Sequence, residues 1–162
     1  METISEKIVE KTWKEVAGLS SDRAGKEMSR MSKEQPDLLA FLMGSTDDLA
    51  QEARELAVYI AFAVYRMFQT SSAGIKKILS KEIADCFNRN EGLLKSPEGA
   101  PEKFSGIGLT VQPHVMQYVI EALTEEPEEP GLKPLSNGDK LLLFLVLKTV
   151  VELLDKKTLA KL

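Results

Sequence analysis

Two stretches of this chain would carry apolar side chains all the way round a helix, and that restricts the fold more than any other feature. One is Val58-Tyr-Ile-Ala-Phe-Ala-Val-Tyr65 and the other is Leu141-Leu-Leu-Phe-Leu-Val-Leu147. A helix without a polar face has to be surrounded by other helices. From Leu49, the positions Ala53, Leu56, Ile60, Val64, Met67 and Phe68 recur at helical spacing. Thr46, followed by Asp47 and Asp48, has the composition of a cap with acid at the positive end of the helix dipole. The spacing predicts a helix over about 46–70. The second apolar run predicts one over about 139–157, opened by Ser136 and Asp139 in the manner of a capping box. Val150, Val151, Leu153 and Leu154 continue its pattern. Neither run reaches the roughly 20 apolar residues that span a bilayer.

Half-apolar segments supply a shell for these two. Ile4, Ile8, Val9, Trp13 and Val16 form a stripe that predicts a helix from about Ile4 to Ala17, with Thr3 and Glu6 as its capping box. Ser20 or Ser21 caps a second, outer helix reaching about Lys33, whose narrow stripe is Ala24, Met28 and Met31. Pro36 suits the first turn of a short third helix closed by Gly44. After Gly74, one or two turns with Ile75, Ile78 and Leu79 precede a helix from Ser80 to near Gly92. Pro113 opens a helix striped by Val115, Met116, Val119, Ile120 and Leu123. Glycine and proline mark long loops at about 95–111 and 125–137. Two-residue alternation is missing from the long runs, and no repeat of fixed period stands out. The predicted fold is a single all-α domain over residues 1–162, an irregular bundle of six to eight helices around the two central ones.

Composition and spacing exclude several classes of function. With 21 basic against 25 acidic residues the formal charge is −4, which gives no overall attraction to DNA or anionic membranes. The start, Met1-Glu2-Thr3-Ile4-Ser5-Glu6, lacks the basic flank of a secretion signal, and the single cysteine fits a reducing compartment, so the cytoplasm is the expected location. One His and one Cys cannot make a common zinc site, and Glu52 and Glu55 lack the Glu-x-x-His partners of a di-iron bundle. Nothing local pairs Cys86 with His114 as nucleophile and base. Cys86 reads as a small apolar residue beside Phe87, and His114 as a neutral structural histidine. Gly106-Ile107-Gly108 lacks the remaining parts of a phosphate loop. No catalytic residue, cofactor or metal ligand is assigned.

Three readings of function remain. The first is a non-enzymatic helical interaction, scaffold or regulatory domain that self-associates. Leu143, Phe144, Leu147 and Val151 belong to a helix with no polar face, and a symmetric partner helix would cover them; the expected partner is a second copy or an unidentified protein. The second is a DNA-associated regulator. Residues 75–92 resemble a helix-turn-helix, with Lys76, Lys77, Lys81 and Arg89 toward phosphate, but Glu82, Asp85 and Glu91 oppose that use. The third is a binder of a small anionic ligand, or an enzyme, with Tyr59, Tyr65 and Arg66 around a pocket; the plain alternative is a structural salt bridge at Arg66.

Overall fold

The computed structural model describes residues 2–94, 111–125 and 135–161. Helices α1 (Glu6–Ala17), α2 (Ser21–Glu34), α3 (Pro36–Ser45) and α4 (Gln51–Ser71) are followed by a two-residue strand, β1 (Gly74–Ile75). Then come α5 (Ser80–Leu94), α6 (Pro113–Thr124), α7 (Asn137–Lys157) and a second two-residue strand, β2 (Thr158–Leu159). The all-α bundle is thus present, with seven helices among the described residues. The long loops expected at about 95–111 and 125–137 fall almost wholly outside those residues.

Helices α4 and α7, 21 residues each, pack against one another and hold most of the core. Ile60, Val64, Met67 and Phe68 of α4 are shut off from solvent. So are Leu143, Phe144, Leu147 and Val151 of α7. These last four are therefore buried within the chain itself and not open to a second copy: α4 and its neighbours in the bundle cover the apolar surplus of α7. Among the described residues, no helix is long and apolar enough to cross a membrane.

Several boundaries differ from the pattern-based expectation. Ser5, not Thr3, caps α1, its Oγ accepting from the Ile8 N–H at 3.2 Å. The buried face of α1 is Val9, Thr12 and Val16, which leaves Trp13 38% exposed. Thr46 ends α3 instead of opening α4: its hydroxyl donates to the Leu42 carbonyl at 2.8 Å, satisfying one of the carbonyls that a helix end leaves open. Helix α4 starts five residues later, without a side-chain cap. Residues 75–92 are not two helices meeting at Ser80. Gly74 and Ile75 pair antiparallel with Leu159 and Thr158, and one helix begins at Ser80.

The two halves of the chain repeat one another. Each opens with a segment ending in a buried isoleucine, Ile4 or Ile78. A helix follows in each, α1 or α5, with buried triplets at the same spacing: Val9, Thr12, Val16 and Ile83, Cys86, Asn90. Each half then has a buried glutamine before a proline that starts a helix, Gln35–Pro36 for α3 and Gln112–Pro113 for α6. Each closes with a 21-residue helix running into one of the paired strands.

The halves grip each other reciprocally. Gln112 Oε1 accepts from the Ile4 N–H at 2.9 Å, and its Nε2 donates to the Glu2 carbonyl at 3.1 Å. Gln35 makes the same pair of bonds to the other half, from the Ile78 N–H at 2.9 Å and to the Lys76 carbonyl at 3.0 Å. Likewise α1 packs on α6, and α5 on α3. This exchange is that of an approximate two-fold, with the α4–α7 and β1–β2 pairs at its centre. No fixed period betrays it in the sequence because the spacing drifts: Ile4 and Ile78 lie 74 residues apart, Gln35 and Gln112 77, and Phe68 and Leu154 86.

Candidate functional site

Tyr59, Tyr65 and Arg66 share α4 but do not converge. The Tyr65 hydroxyl donates to Glu34 Oε2 at 2.8 Å, and burial together with that carboxylate raises its pKa well above the usual phenol range. Arg66 Nη1 lies 3.6 Å from Glu27 Oε2, so two carboxylates of α2 take these two groups. Tyr59 lies roughly a third of a turn round the helix from Tyr65 and is 42% exposed. Lys76, Lys77, Lys81 and Arg89 are all exposed. Lys81 and Arg89 fall on one face of α5 with Asp85 between them, so the basic stripe is interrupted by an acid. Cys86 is buried as expected of a small apolar residue, but its neighbours are polar.

Two concavities stand out. The first is a cleft of about 790 Å³ between α5 and α7, lined by Glu82, Asp85, Arg89, Glu152, Asp155 and Lys156 among others. Beneath it lies a polar network inside the α7 core. The Lys148 ammonium, with its residue only 6% exposed, donates to Asn90 Oδ1 at 2.7 Å and pairs with Glu152 one turn on. Asn90 Nδ2 donates to Thr149 Oγ1 at 3.0 Å, and the Cys86 thiol faces Glu152 Oε2 at 3.6 Å. Two of the carboxylates around the cleft are paired within the protein, Glu82 with Lys157 at 2.7 Å and Glu152 with Lys148, and Asp155 accepts from the Gln112 amide Nε2 at 2.8 Å. Among the described residues, no group of three or more His, Cys, Asp and Glu is placed to hold a metal ion.

This network makes a structural thiol of Cys86. Burial first, then the Glu152 carboxylate, push the thiol up to about 11. A nucleophilic cysteine needs the opposite shift. With thiolate strongly depleted, and a higher-pKa thiolate only partly offsetting this by greater nucleophilicity, a disulfide reagent at pH 8 should react at least about tenfold more slowly with the native protein than with the chain in urea. Reaction at equal rates would contradict this placement.

The second concavity is a groove of about 540 Å³ framed by α2, α3 and α4, with Val16 of α1 at one edge. Its walls are mostly apolar, with Met28 of α2, Leu39 and Met43 of α3, and Val58, Tyr59 and Phe62 of α4, while Gln51, Arg54 and Glu55 of α4 form a polar end. Met43 and Tyr59 are 55% and 42% exposed, although both are large side chains of the kind that folding normally removes from water. Burial at the groove wall also raises the Tyr59 pKa. Arg54, on the same face of α4, reaches the groove with its Nε buried and without a hydrogen-bond partner. Sequence reasoning missed this site because its walls are ordinary stripes: Met28 belongs to the narrow stripe of α2, and only packing decides that it borders an opening. The interruption at Lys148-Thr149 was the legible sign of the other network.

Fold and site together define an all-α, two-fold-repeated bundle with an apolar groove on one half. Comparison with family models, with curated proteins and with solved structures finds no match to this chain.

Proposed function

We propose that the protein is a non-enzymatic binding module, a helical scaffold whose groove between α2, α3 and α4 takes an apolar element of a partner. The observation that carries this reading is the exposure of Met43 and Tyr59 on the rim of a groove with mostly apolar walls. A contiguous exposed apolar surface marks an interaction site, and methionine and tyrosine supply adaptable and rigid contact area respectively. The polar cleft suits a ligand less well, because Glu82 and Glu152 on its wall are already paired with lysines of the protein and its thiol is held neutral.

A neutral environment-sensitive fluorophore such as N-phenyl-1-naphthylamine should bind saturably and brighten. The double substitution Met43→Gln and Tyr59→Gln should weaken that binding at least tenfold while leaving the melting temperature nearly unchanged, since both positions are exposed. A fluorophore that fails to bind the wild type, or binds the double variant equally well, removes the groove as the site.

A further inference from the structure

Resting on that reading of the groove, we infer that its occupant is a single-chain amphiphile with a carboxylate head, the chain lying against Met28, Met43 and Phe62 and the head on Arg54. Three observations lead there. The volume of about 540 Å³ falls within the roughly 300–1,000 Å³ of sites that enclose small molecules.

The second observation is the state of Arg54. A buried polar atom without a partner is rare, and a cation with no counter-charge is disfavoured where water is scarce. Arg66, Lys148 and Lys157, likewise wholly or partly buried, each face a carboxylate. Among the described residues, Arg54 has neither an ion pair nor a partner for its Nε. Glu55, which also lines the groove, does not pair with it and accepts instead from Gln51 Nε2 at 2.9 Å. A guanidinium presents two parallel N–H bonds to a carboxylate, a fit that a neutral head group cannot repeat.

The third observation comes from the internal repeat. With the 86-residue offset of the two long helices, Val58 and Tyr59 correspond to Phe144 and Leu145. Those two are buried, whereas Tyr59 is exposed and Val58 is half-buried. The corresponding positions of α7 are covered where those of α4 are open, so the exposure of Tyr59 is not dictated by its place along the long helix.

Titration calorimetry with dodecanoate and tetradecanoate below their micelle concentrations, beside their methyl esters, tests the inference. Each added methylene should tighten binding about fourfold, the ratio that the free energy of burying one CH₂ implies. The acid should bind at least tenfold more tightly than the ester of equal chain length. Arg54→Gln should abolish that difference by weakening the acid far more than the ester, and Arg54→Lys, which keeps the charge but not the fork, should restore part of it. Equal affinity of acid and ester, or a preference that survives Arg54→Gln, overturns the head-group assignment while leaving the groove as a binding site. Failure of acids, esters and the neutral fluorophore alike overturns both. Self-association at micromolar concentration that Met43→Glu abolishes would give the groove to a second copy and overturn the amphiphile.

Discussion

Phe144→Ala is expected to lower the free energy of unfolding by about 3–5 kcal/mol, the usual loss when a buried phenylalanine is cut back to a methyl group. Phe144 has no exposure and stands in the α7 run, in the bundle's shared core. The void left there has walls on all sides, and long helices tied together at their C-terminal ends by the β1–β2 pair can move in only slightly. In thermal denaturation the change should appear as a drop of about 6–20 °C, at about 2–4 °C per kcal/mol for a chain of this size. In urea, the midpoint should fall with the slope unchanged. The same experiment separates the covered core from an association surface. A residue at a contact between copies would lose stability in a concentration-dependent way, so a melting temperature that rises with protein concentration in the wild type and not in the variant would contradict the intramolecular packing.

Lys148→Met should cost about 2–4 kcal/mol, because it strips the counter-charge from Glu152 and the donor from Asn90 Oδ1 while keeping the side-chain volume. The range sits below that of a wholly enclosed pair, since the Glu152 side chain keeps 23% of its exposure and solvent screens part of the remaining charge. The double change Lys148→Met with Glu152→Leu should recover at least half of the loss, as an ion pair replaced whole by apolar groups leaves little unbalanced. The repeat supports this expectation. Lys148 corresponds to Phe62 in the first half, so the same place in the architecture accepts an apolar side chain. Chemical denaturation of the three variants decides it: a double variant less stable than Lys148→Met would mean that the network stabilises through Glu152 alone.

How far the sequence could be read follows from the range over which each signal acts. The two central helices were legible because residues such as Ile60 and Val64, or Leu147 and Val151, lie a turn apart and declare their period within a few residues. Thr46 misled because a threonine can serve a helix end as readily as a start, and which it serves depends on whether four residues of turn intervene. The strand pair of Gly74–Ile75 with Thr158–Leu159 is too short to leave an alternation pattern, and its partner lies more than eighty residues away. The internal repeat escaped for a related reason: its strongest marks, Gln35–Pro36 and Gln112–Pro113, carry information only once their amides are seen to hold the opposite half. The groove was least legible of all. Met43 differs from Leu42 by one position, yet one is 55% exposed and the other is shut in the core, a distinction made by neighbours from α2 and α4.

The crossed glutamine clips carry a consequence for the order in which the protein comes into being. A growing chain exposes Glu2–Ile4 long before Gln112 is synthesised, and Gln35 waits in turn for Lys76–Ile78. Each clip closes only when residues from both halves are in place, so neither half completes its scaffold alone and the two consolidate together as one cooperative event.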